Sequence, residues 1–132
     1  MVRAWCIERH EPTQLRLEAQ LLGTDLCVVL SGGDAPHIGA VTLSIPRQST
    51  HSARTVANTS VLSISGHMDD VLFRELGACL AERLNRTVVI TGGIHVDDAS
   101  PALVEAIVDA AREMTRDLAS RVERVEYSGE VD

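Results

Sequence analysis

Lysine is absent from the 132 residues, and all twelve basic side chains are arginine. Schiff-base chemistry and a P-loop lysine are therefore excluded. Aromatic residues are scarce too: Trp5, Phe73 and Tyr127 are the whole set. The core must then be aliphatic, and a flat ligand would lie against Ile, Val, Leu, His and peptide planes rather than between rings. Cys6, Cys27 and Cys79 are odd in number and show no CxxC spacing. They read as reduced, small hydrophobes, which suits a cytoplasmic protein. No apolar stretch approaches the ~18 to 20 residues of a membrane span, and the N-terminal MVRAWCIERHEPT is polar where a secretory leader would be apolar. Nor is there a basic run or aromatic platform, and the net charge is −7, so neither nucleic acid nor membrane is expected as a partner.

What is present is one design used three times. An apolar run at 26–30 stops at SGGDAPHIG, residues 31–39; a second at 61–64 stops at SGHMDD, 65–70; a third at 88–90 stops at TGGIHVDD, 91–98. Each is a strand, then glycine, then histidine, then carboxylate. Glycine allows positive φ and close backbone approach, while histidine and aspartate supply donors, acceptors and metal-binding atoms. The candidate binding residues are Gly32, Gly33, Asp34, His37 and Gly39 from the first motif. The second offers Gly66, His67 and Asp69, and the third Gly92, Gly93, His95 and Asp97.

The remaining pattern is that of one domain over residues 1–132, with 45% hydrophobic residues to form a core. Residues 1–12 read as a strand or arm. Leu15, Leu17, Ala19 and Leu21 alternate with polar residues, the period of a half-buried strand. Residues 25–31 are nearly all apolar, as in a strand covered on both faces. Residues 39–45 form the next strand, which Pro46 is expected to end. A polar loop carrying Arg47, His51 and Arg54 spans 47–58, and a strand follows at 60–65. Asp69 or Asp70 caps a helix in which Phe73, Leu76, Leu80 and Leu84 recur at helical spacing, with Asn85 as its stop. A strand at 87–91 precedes a second helix, announced by Ser100 and Pro101 and striped by Leu103, Ile107, Ala111, Met114 and Leu118. Residues 121–132 read as a short edge strand or a free tail.

Short connections reverse strand direction, whereas a strand, crossover helix, strand unit keeps it. The strands at 25–31, 60–65 and 87–91 should thus end at one edge of the sheet, bringing His37, His67 and His95 together. A single loop histidine is ordinarily a surface side chain, and aspartate is favoured in turns for its own reasons. Three glycine-histidine strand ends on one edge point instead to a binding site. Such an edge could hold a phosphate at glycine amides and a helix N-terminus, above all at Gly66. Alternatively, His37, His67 and His95 could hold a divalent metal in an enzyme, or the loops could contact only protein. No nucleophile elbow or HExxH spacing supports a hydrolase.

With GGDAPHIGAV at 32–41, GHMDD at 66–70 and GGIHVDDAS at 92–100, the chain resembles the LpdD-like family across residues 13–120. Members of that family accompany UbiD-type decarboxylases and serve as chaperones for reduced prenylated FMN. The resemblance implies an α+β fold similar to proteasome assembly chaperones: a mixed, mainly antiparallel sheet of five to six strands with two helices on one face. It further implies a homodimer that carries the flavin and is not itself the catalyst. Met68 stands where the family's GHKDD has lysine. Ile38, Ile94 and the imidazoles would take the place of aromatic stacking partners.

Overall fold

In the computed structural model of the chain, residues 3–64 and 69–127 are described. The strands are β1 (Ala4–Arg9), β2 (Leu15–Leu22), β3 (Asp25–Gly33), β4 (Ala40–Gln48), β5 (Thr55–Ser63) and β6 (Val88–His95). The helices are α1 (Asp69–Leu84) and α2 (Pro101–Tyr127). One six-stranded sheet has the order β1-β2-β3-β6-β4-β5. Only β3 and β6 pair in parallel; the other neighbours are antiparallel. β3, β5 and β6 run in the same direction, so their C-terminal ends share an edge.

Period-two alternation decides which face is buried. Leu15, Leu17 and Ala19 of β2 and Leu26, Val28 and Leu30 of β3 point to the helices, as do Val88 and Ile90 of β6. α1 packs on β4, β5 and β6 through Phe73, Leu76 and Leu80, and α2 packs beside it toward β1 through Ile107, Ala111, Met114, Leu118 and Val122. Each fully buried side chain of this size contributes roughly 1.5 to 3 kcal/mol, so the aliphatic set substitutes for aromatic bulk. Thr42 and Ser44, buried under α1, are satisfied by the Ile90 carbonyl at 3.3 Å and Thr59 at 2.8 Å. Gly77 lets the helix approach them: a Cβ there would lie 2.9 Å from Ser44 Oγ.

Among the described residues, no helix covers the opposite face of the sheet. Val29, Val41, Leu43, Ile45 and Leu62 are exposed on it, Leu62 to 74%. β3 is therefore covered on one face only, contrary to the expectation drawn from its continuous apolar run. β4 also does not stop at Pro46 but pairs with β5 as far as Gln48, opposite Thr55. Its pairing with β6 ends at Ser44, so beyond that point one side of β4 has no neighbour and a missing amide is tolerated. The expected loop at 47–58 contracts accordingly to residues 49–54. At the other end of the chain, residues 121–127 continue α2 instead of forming a strand. Leu118 and Val122 are both buried, and Arg121 bonds Asp117 one turn earlier at 3.1 Å, which carries the helical stripe onward.

A candidate histidine-aspartate site at the sheet edge

Two of the three motifs are more strand than loop. β3 runs through Gly33 and β6 through His95, with Gly33 directly opposite His95 in the parallel register. β6 lies between β3 and β4, so the segment linking them, residues 34–39, crosses the end of β6 and carries His37 over it. Gly33 has φ of 80°, and a side chain on it would strike the His95 carbonyl at 2.1 Å. Gly92, at φ 123°, similarly lies against the Leu30 carbonyl. Together with Gly32, packed on the Gln14 carbonyl, these glycines let strands approach each other rather than leaving a ligand room.

Gly39 and Gly93 serve a different purpose. A Cβ on Gly93 would sit 2.7 Å from His37 Nε2, and one on Gly39 would sit 2.0 Å from Asp69 Oδ2. Both glycines leave space for a His37–Asp69 pair. His37 Nδ1 lies 3.0 Å from the Ala35 carbonyl and Nε2 lies 3.1 Å from Asp69 Oδ2. A carbonyl only accepts, so Nδ1 is the donor to Ala35, and Nε2 faces the Asp69 carboxyl within hydrogen-bond distance. Asp69, the first residue of α1 and 7% exposed, uses its other oxygen to accept the Ile94 amide at 2.9 Å. Loop, helix and β6 are thereby tied at one carboxylate.

The second pair is more open. His95 Nε2 lies 2.9 Å from Asp97 Oδ1, and the Asp97 amide donates to Asp34 Oδ2 at 3.0 Å. The Asp34 amide in turn donates to the His95 carbonyl at 2.7 Å. The two imidazoles meet edge to face, with centroids 6.3 Å apart. Beside them Ile38 is 61% exposed, and Ile64, whose amide donates to the Gly39 carbonyl at 2.9 Å, and Val71 are exposed as well. Ile38 follows His37 in the chain, Ile64 is hydrogen-bonded to Gly39, and Val71 lies two residues past Asp69, so these three form an apolar collar beside the polar residues.

Of the residues singled out from the sequence, the structure brings together Asp34, His37, Gly39, Asp69, Gly93, His95 and Asp97. Gly66 and His67, with Met68, lie outside the described residues. Sequence reasoning missed Gln14 and His10. The Gln14 carbonyl accepts the Gly33 amide at 2.8 Å, and its side chain lies 2.8 Å from His10 Nδ1. Nothing in their spacing marks them; β2 delivers them by pairing Leu15 with Gly32. The three-histidine metal reading gains no support here. Both ring nitrogens of His37 are already engaged, and among the described residues no group of three or more His, Cys, Asp or Glu side chains is placed to hold an ion.

Comparison with known proteins agrees with this architecture. Residues 9–123 match the family described as "Prenylated flavin chaperone LpdD-like domain". Protein LpdD of Lactiplantibacillus plantarum (strain ATCC BAA-793 / NCIMB 8826 / WCFS1) is 30% identical over 127 residues, covering 89% of this chain and 88% of the relative. Among solved structures, a chain of a chaperone complex for yeast 20S proteasome assembly superposes with a TM-score of 0.62 over 91% of this chain and 96% of its own. Its identity is 15%, so that likeness concerns the fold. No helix among the described residues is long and apolar enough to cross a membrane.

Proposed function

The chain belongs to the prenylated flavin chaperone LpdD-like family, and from that premise we propose that it binds reduced prenylated FMN at the histidine-aspartate edge and delivers it to a UbiD-type decarboxylase in the cytoplasm. The observation that carries this reading is the pair of coupled dyads, His37–Asp69 and His95–Asp97, set side by side at the ends of β3 and β6. Their hydrogen bonds to the protein fix both rings, so the flavin meets a corner whose shape the fold sets. A carrier, not a catalyst, fits this geometry. His37 spends both ring nitrogens on Ala35 and Asp69, which holds the ring in one orientation as part of the wall of the corner.

The bare face of the sheet supports a homodimer as the working form. Its polar half, on β1 and β2, is ion-paired through Glu8, Arg16 and Glu18, while the half on β3, β6, β4 and β5 shows Val29, Val41, Leu43, Ile45 and Leu62. A second copy turned about a two-fold axis would place apolar half on apolar half and leave both polar halves in water.

The test is a two-step measurement. Purified protein is titrated anaerobically with reduced prenylated FMN, and the complex is then mixed with a cofactor-free UbiD-type decarboxylase. Saturable binding followed by faster gain of decarboxylase activity than free flavin gives is the expected result. Faster activation without flavin binding would favour a chaperone whose edge contacts only protein.

A further inference from the structure

The charge around the edge bears on which end of the flavin enters it. Asp34, Asp69 and Asp97 line the corner, Asp70 follows Asp69 in the first turn of α1, and Asp98 follows Asp97. A phosphate monoester carries about −1.5 to −2 charges at neutral pH. It would meet those carboxylates.

Among the described residues, the basic groups nearest along the sheet and helices are spoken for or set back. Arg16, opposite Ser31, bonds Glu8 and Glu18; Arg9, opposite Leu15, bonds Glu113 at 2.8 Å; Arg74 lies more than a turn into α1. His37 is turned onto Asp69 and His95 onto Asp97. Helix ends are the usual alternative for anions. Here α1 opens on its own two aspartates, and the α2 amides of Leu103 and Val104 are taken by the hydroxyl and carbonyl of Ser100 at 3.1 and 3.0 Å.

The same corner suits the ring system. Asp97 and Asp34 are carboxylate acceptors for the imide N–H of a flavin, and Ile38, Ile64 and Val71 are exposed apolar side chains available to the hydrocarbon edge. We propose, building on the flavin-binding reading above, that the flavin docks ring first, with its ring system at His95, Asp97 and the Ile38 collar and its phosphate held away from the edge. A chaperone built this way leaves the phosphate free for the receiving enzyme to grip before the ring is released.

The experiment compares reduced prenylated FMN with the same flavin stripped of its phosphate by phosphatase, each titrated anaerobically into the full chain. Affinities within about three-fold of each other are expected, since a solvent-facing phosphate adds little in salt. Ile38→Glu, a change at an exposed position, should weaken both forms alike by about ten-fold, the loss of one apolar contact surface. Prenylated FMN binding more than about ten-fold tighter than its dephosphorylated form, as charge-assisted phosphate contacts would give, overturns the ring-first orientation and leaves flavin binding standing. Unchanged affinity in Ile38→Glu removes the collar and the orientation with it. Binding of neither form rejects the flavin reading itself.

Discussion

Gly93 lies directly beneath His37: a methyl group on that glycine would stand 2.7 Å from Nε2 and 2.9 Å from Cε1 of the ring. The ring cannot keep its place if the glycine gains a side chain. Gly93→Ala is predicted to break the His37–Asp69 contact and to destabilise the fold by about 1 to 3 kcal/mol, the usual range for overpacking. Denaturant unfolding reads the stability, and histidine side-chain NMR reads the ring. A variant with parental stability and an unmoved His37 signal would show that the space is not needed.

His95→Ala is predicted to weaken reduced-flavin binding on the order of ten-fold to a hundred-fold, the value of one hydrogen bond to a charged or strongly polar group, and His37→Ala to weaken it less, by loosening the loop that the ring ties to Asp69. His95 is the cleaner test. Its side chain is 45% exposed and its removal leaves the Asp97 carboxylate in water, so unfolding should scarcely move. His37→Ala also leaves the buried Asp69 with one partner fewer, and some loss of stability should accompany the loss of affinity. Calorimetric titration alongside thermal unfolding separates these effects, and parental affinity in both variants would move the site elsewhere.

Leu43→Glu tests the bare face. Leu43 stands between Val89 of β6 and Ser60 of β5, in the middle of the apolar half. The parent is predicted to sediment as a dimer at micromolar concentration and the variant as a folded monomer with unchanged circular dichroism. A parent that sediments as a monomer would remove the dimer from the proposed function.

The bridge between the helices gives a pH prediction. Hydrogen bonds from Arg112 at 2.6 and 2.8 Å hold the Glu75 carboxyl below its ordinary value. A carboxyl depressed in the folded state adds stability above its unfolded pKa of about 4.3, and that stability is lost as pH falls through the folded value. Glu75→Gln should therefore lower the urea midpoint slightly at pH 7, slightly because both side chains are two-fifths exposed. Parent and variant should converge at more acid pH. A gap that persists in acid would assign the effect to packing rather than charge.

Legibility in the sequence followed the range of the interaction. The stripe of Phe73, Leu76, Leu80 and Leu84 and the alternation of Leu15, Leu17 and Ala19 are local periodicities, and both appear in the structure as read. The run at 26–30 misled because apolar side chains on both faces of β3 look alike in sequence, whether or not a helix covers them. Pro46 misled because its cost depends on whether a strand lies on its amide side. Residues 121–127 read as an edge strand or tail because nothing local shows that Val122, about one turn past Leu118, is buried with it under the sheet.

For the site, chain order alone determined that β3, β5 and β6 end at one edge, since a crossover helix and short links leave few choices of strand direction. Composition alone determined that no lysine and few aromatic rings could serve there. Which residues touch was decided by the tertiary structure. β6 enters between β3 and β4, a non-local choice that no spacing encodes, and only then does the 34–39 link have to cross β6 and lay His37 over Gly93. Asp69 looks in sequence like any helix-opening aspartate. It becomes the partner of His37 and Ile94 because packing α1 on β4, β5 and β6 carries its first residue to the same strand end, where a buried carboxylate must find donors.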